Sequence, residues 1–120
     1  MIGFIVTGLG LKSENTLLDL LQKHKFERWL KRKEPTDTVG FAISLNRCPI
    51  ATYLKSKHHY HGVLVLSSGI KAFKRKKTDV LHEDEVPQWV ISFIKAVDGS
   101  EERELMTASK ALEILKSCHE

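Results

Sequence analysis

The residues that most restrict the fold are Gly62-Val63-Leu64-Val65-Leu66, five in succession without a polar side chain. The run is short and rich in β-branching, and Ser67, Ser68 and Gly69 cut it off, so His59 to Leu66 reads as a strand. Alternate side chains of a strand point to opposite faces. An unbroken apolar run therefore predicts burial on both faces and a central place in a sheet.

Such a strand needs neighbours and cover, and the rest of the chain offers both. Ile2 to Thr7 reads as a buried first strand closed by Gly8 and Gly10. Ser13 resembles an N-cap with Glu14 in the first turn, opening a helix to about Leu30 whose apolar face holds Leu17, Leu18, Leu21, Trp29 and Leu30. Pro35 and Thr36 to Thr38 end that unit. Val39 to Leu45 reads as a second strand, followed by a turn region containing Pro49. Beyond the Gly62 run, the basic stretch from Lys71 is compatible with a helix, and Asp79 to His82 with a short edge strand. Pro87 suits the first turn of a helix to about Val97, with Val86, Trp89, Val90, Phe93 and Val97 on one face. Gly99 stops it, Ser100 caps the next, and Glu101 to Cys118 makes the last helix. The order strand, helix, strand, strand, strand, helix, helix predicts an α+β domain, with helices on at least one face of a small, mostly antiparallel sheet. At 120 residues, with no repeat, linker or low-complexity segment, one compact domain is expected.

Several classes fall away. No apolar run approaches the roughly 20 residues of a membrane helix, so no membrane partner is expected. The N-terminal MIGFIVTGLGL lacks a basic start and is too short and β-branched for a secretory leader. Cys48 and Cys118 lie far apart and read as free thiols of an intracellular chain. The net charge of +4 is modest, but its distribution is uneven. Lys71, Lys74, Arg75, Lys76 and Lys77 crowd one stretch, and Arg28, Lys31, Arg32 and Lys33 another, whereas acids gather at Glu83 to Glu85 and Glu101 to Glu104. A chain with a basic and an acidic side can orient itself on a phosphate backbone. Phe73 within the first basic stretch suits a groove that tracks phosphates and stacks a base; a solvated basic turn has the same composition.

The sharpest local motif is His59-Tyr60-His61. Residues two apart on a strand share a face, so both imidazoles can meet one divalent ion and leave positions open for a third ligand, water or phosphate. A solvated histidine pair at a strand's start is the alternative.

In this context the chain resembles the HUH endonucleases, whose name describes two histidines flanking a hydrophobic residue, and within them the Rep nicking domains that initiate rolling-circle replication of viruses and plasmids. Phe4-Ile5-Val6-Thr7 resembles their first motif, and His59-Tyr60-His61 running into Gly62 to Leu66 resembles the second, metal-binding one. The helix Trp89 to Lys95, followed by Asp98 and Gly99, resembles the third, where the family carries a nucleophilic tyrosine and usually a lysine three residues later. The resemblance implies a ferredoxin-like α+β nicking domain, with Mg2+ or Mn2+ on His59 and His61. Asn46 is a candidate third ligand and Asp98 an alternative. Lys95 would stand at the scissile phosphate. It implies nicking and rejoining of single-stranded origin DNA through a phosphotyrosine, with helicase and polymerase supplied by the host or replicon. The site of action would be the host cytoplasm or wherever the virus or plasmid replicates. A homodimer is compatible with the same reading.

The third motif departs from the family. The two tyrosines, Tyr53 and Tyr60, lie outside it, and Phe93 stands on the apolar face where the nucleophile is expected. Counting three residues back from Lys95 gives Ser92 instead. Without a phenol no phosphotyrosine can form, so the chain is expected to bind metal and DNA without cleaving. Two other readings stay open: a single-tyrosine transposase, and a non-catalytic module for single-stranded nucleic acid in which Phe93 is natural. A Walker-type phosphate loop is absent, so the sequence implies no helicase of its own.

Overall fold

The computed structural model describes residues 16–42, 44–58, 60–99 and 105–118. The strand expected at residues 2–7, His59, Ser100 and residues 101–104 lie outside them.

The first helical unit is two helices, not one. α1 (Thr16–Leu20) and α2 (Lys23–Lys31) are separated at Gln22, whose backbone is extended, with φ −96° and ψ 131°. Two buried aromatic donors account for the break. The Tyr53 hydroxyl donates to the Leu20 carbonyl at 2.7 Å, and the Trp89 indole N–H donates to the Leu21 carbonyl at 3.0 Å. In a continuous helix those carbonyls would accept from residues 24 and 25. Tertiary hydrogen bonds have replaced helical ones, which the apolar periodicity of residues 17–30 could not foretell.

β1 (Thr38–Gly40) is likewise shorter than the expected Val39 to Leu45. At Gly40 the chain turns back on itself: Phe41 N–H donates to the Arg47 carbonyl at 2.8 Å, and a Cβ on Gly40 would stand 2.6 Å from the Pro49 nitrogen. Only glycine permits that approach. The expected turn lies at residues 45–47, and Pro49 itself starts α3 (Pro49–His58), with proline at the first helical position, where its missing N–H goes unneeded. Ile50, Ala51, Tyr53 and Leu54 bury its inner face.

Three strands follow as an antiparallel meander, β2 (Gly62–Leu66), β3 (Gly69–Phe73) and β4 (Thr78–His82), in the order β2-β3-β4. Among the described residues β2 is an edge strand, and β3 takes the centre expected of β2. Val63 and Val65 are buried, whereas Gly62, Leu64 and Leu66 are only half covered. The outer edge of β2 meets a loop, through Val65 N–H donating to the Leu45 carbonyl at 2.8 Å. Among the described residues β4 is an edge strand, as the sequence foretold. A short 3-10 turn, Glu83–Glu85, leads to α4 (Gln88–Asp98), which Gly99 terminates as expected. β5 (Met106–Thr107) pairs antiparallel with β1, and α5 (Ala108–Lys116) closes the described chain. The last helix therefore starts later than residue 101. Pairing holds Met106 extended, and the Thr107 hydroxyl, not Ser100, caps α5 by accepting the Lys110 N–H at 3.2 Å.

The core is organised around Phe26. Its ring centroid lies 5.9 Å from Trp29, 5.2 Å from Tyr53, 5.6 Å from Trp89 and 5.2 Å from Phe93. These contacts join α2, α3 and α4, at roughly 0.5–1.5 kcal/mol per pair beyond area burial. Small antiparallel sheets packed against helices make the domain α+β, as the sequence predicted. Among the described residues no helix is long and apolar enough to cross a membrane.

Candidate nucleic-acid interface

The β2–β3 register decides what lies beside the histidine motif. Gly62 pairs with Phe73, and one residue earlier the His61 N–H donates to the Phe73 carbonyl at 2.8 Å. From Phe73 the chain enters a tight turn, closed by Lys74 N–H donating to the Lys77 carbonyl at 2.9 Å, and returns as β4. The expected helix from Lys71 is thus the end of a strand and a hairpin turn. Its burial has the strand's period of two: Ile70 and Ala72 are inside, Lys71 outside. The consequence is functional. Two features distant in sequence, the histidine motif and the basic stretch, share one end of the sheet.

Tyr60 and Asp79 fasten this end. The Tyr60 hydroxyl donates to Asp79 Oδ2 at 2.8 Å, while Lys74 Nζ lies 3.4 Å and Lys77 Nζ 3.6 Å from the same carboxylate. Lys74 Nζ also sits 5.4 Å from the centroid of the Tyr60 ring. Burial alone would push the Asp79 carboxyl up, but the Tyr60 hydroxyl, Lys74 and Lys77 together hold it below the usual range. Burial, then the hydrogen bond and charge of Asp79, push the Tyr60 phenol far above its ordinary range. Tyr60 is a buried pin, held in the neutral form. With Lys74 and Lys77 engaged, Lys71, Arg75 and Lys76 stand exposed without an acid partner among the described residues. Phe73 is half buried between them and His61. The role of Asp79 was not read from the sequence, although a lone acid two residues after the last of five cations is the signal that could have revealed it.

The other candidates lie elsewhere. Asn46 is exposed in the loop beside the far half of β2, and its Oδ1 accepts from the Ser44 hydroxyl at 3.3 Å. Lys95 and Asp98 line a groove of about 420 Å³ with Leu66, Ser67 and Ile94. Leu66 is five strand residues, roughly 16 Å, from His61, so Lys95 and His61 attend opposite ends of β2. Phe93 is fully buried, its ring edge-on to Phe26, and Ser92 is half buried. The structure brings His61 together with Phe73 and residues 74–77, and brings neither Lys95, Asn46 nor Phe93 to them.

For a metal, the exposed His61 at the head of β2 offers an open imidazole, and Asp79 is already engaged. Among the described residues no three His, Cys, Asp or Glu side chains converge into a ligand set. A divalent ion held here would depend on His59 beside His61. No protein-family model, curated protein or solved structure matches the chain.

Proposed function

We propose that this chain binds single-stranded DNA along the face formed by His61, Phe73 and the basic turn, and that it does not cut the strand itself. The observation that carries the reading is the hydrogen bond from His61 N–H to the Phe73 carbonyl, which joins the histidine motif to the cations. Lys71, Arg75 and Lys76 would meet successive phosphates, and Phe73 would give a base an apolar surface to stack on. His59 and His61 would hold Mg2+ or Mn2+ as the resemblance implies. Such an ion, when bound, neutralises and polarises a phosphate oxygen. The reading without cleavage rests on the missing phosphotyrosine nucleophile, a phenol hydroxyl open to the strand. Tyr53 and Tyr60 are buried and hydrogen-bonded, and Phe93 has none. In a replication-initiator setting the chain would recognise an exposed strand at an origin and leave unwinding and synthesis to partner enzymes.

Fluorescence anisotropy with labelled single-stranded and duplex oligonucleotides tests this. Preference for the single strand, lost in His61→Ala/Lys76→Gln, is the expected outcome. Equal affinity for duplex would overturn the reading.

A further inference from the structure

A second basic feature lies between α2 and α3, and the surface just described does not use it. Between α2 and α3 is a pocket of about 140 Å³ whose walls include Lys25, Arg28, Arg32 and Lys57, with Trp29 and Tyr53 beneath. Arg28 and Arg32 are one helical turn apart, where like charges repel. The nearby acids are spent on other cations: Asp19 pairs with Lys25 at 3.3 Å and Glu27 with Lys31 at 3.2 Å. Arg28, Arg32 and Lys57 have no acid partner among the described residues. Lys57 Nζ lies 5.8 Å from the Tyr53 ring centroid, which holds its charge over the pocket floor. Tyr53 senses the same field. Burial, then Asp19, pushes its phenol up to about 12, and Arg28 pulls it back.

We infer that this pocket binds a phosphate group, contributed by the same strand that crosses His61. Three unpaired cations, two of them guanidiniums able to form paired hydrogen bonds, suit a phosphate's several oxygens. The pocket's place in the chain supplies the link to the strand. Lys57 is the penultimate residue of α3, and four residues later comes His61. That segment can span at most about 14 Å. Lys57 on the pocket wall and His61 beside the turn at residues 74–77 thus lie within reach of a single strand. The inference rests on the single-strand reading for the source of the phosphate, though not for the pocket's chemistry.

The indole N–H resonances of Trp29 and Trp89 provide the test, since Trp29 lines the pocket and Trp89 is buried against Leu21. The full chain is titrated with inorganic phosphate and, separately, with an oligothymidylate. The Trp29 resonance is expected to move with both, the Trp89 resonance with neither, and Arg28→Gln/Arg32→Gln to remove the response. In that variant the slope of log affinity for the oligothymidylate against log salt should fall by about 0.7 for each phosphate it no longer neutralises. A Trp29 resonance that ignores both titrants overturns the pocket. One that answers phosphate alone, with an unchanged salt slope in the variant, overturns its place on the strand. Arg75→Gln/Lys76→Gln keeps the two failures apart, because weaker oligothymidylate binding there upholds the single-strand reading whatever the pocket does.

Discussion

The Tyr60 hydroxyl donates a 2.8 Å hydrogen bond to Asp79 Oδ2, tying the residue between the two motif histidines to the far strand of the hairpin. The same carboxylate gathers Lys74 and Lys77 across the turn, so one acid sets both the histidine segment and the shape of the basic loop.

Removing the donor should loosen both. Tyr60→Phe is expected to destabilise the domain by about 1–2 kcal/mol, because it deletes a hydrogen bond to a charged acceptor. The pH dependence has a definite sign. Asp79 has its carboxyl depressed below the usual 3.8, so its contribution is fully present above that value and disappears as pH falls through the lower, folded-state value. Denaturant unfolding of the parent chain and Asp79→Asn checks this: their stability difference should persist at pH 5–7 and shrink in stronger acid. A difference that grows on acidification would contradict the assignment.

Metal binding should depend on the two histidines. Isothermal calorimetry with Mn2+ is expected to show a weakened site in His61→Ala and none in His59→Ala/His61→Ala. Asp79→Asn should leave the affinity nearly unchanged, because that carboxylate serves Tyr60 and the lysines. Undiminished affinity in the double histidine variant would remove the metal from this end of the sheet.

Much of the architecture was legible because it follows from local patterns. The helix after Pro87 announced itself through Trp89, Val90, Phe93 and Val97 at helical spacing, and Gly99 marked its end. What stayed hidden depends on distant partners. Nothing near Leu20 says that the hydroxyl of Tyr53, 33 residues away, will take its carbonyl and break the helix. Among the described residues the Gly62 run lies at an edge with Leu64 and Leu66 half covered, and the first strand expected at residues 2–7 lies outside them. α3 was missed although Pro49 with Ile50, Tyr53 and Leu54 already had helical spacing. At the candidate site, residue types were readable but adjacency was not. The basic stretch joined the histidines through a strand register, while Lys95 went to the other end of β2.

Position 93 separates binding from cleavage. Phe93 is enclosed, with its ring edge-on to Phe26 at 5.2 Å, so Phe93→Ala should cost about 3–5 kcal/mol. Phe93→Tyr would place a hydroxyl in that core, lower stability by about 1–3 kcal/mol and expose no nucleophile to a strand. Incubated with Mn2+ and labelled single-stranded DNA, it should give no covalent band on a denaturing gel, and Ser92→Tyr should give none either. A chelator-sensitive adduct in either variant would restore the nicking reading implied by the likeness to replication initiators.

The most direct test of the single-strand surface is the salt dependence of its affinity. Binding of a labelled oligothymidylate is followed by anisotropy across a range of salt concentrations, for the parent chain and for Arg75→Gln/Lys76→Gln. Each phosphate neutralised on a single strand contributes about 0.7 to the slope of log affinity against log salt. Both side chains are exposed at the turn next to His61 and Phe73, so the variant's slope should be shallower by about 1.4, with weaker binding at every salt concentration and unchanged folding. Equal slopes and affinities for the two proteins would show that no strand crosses this turn.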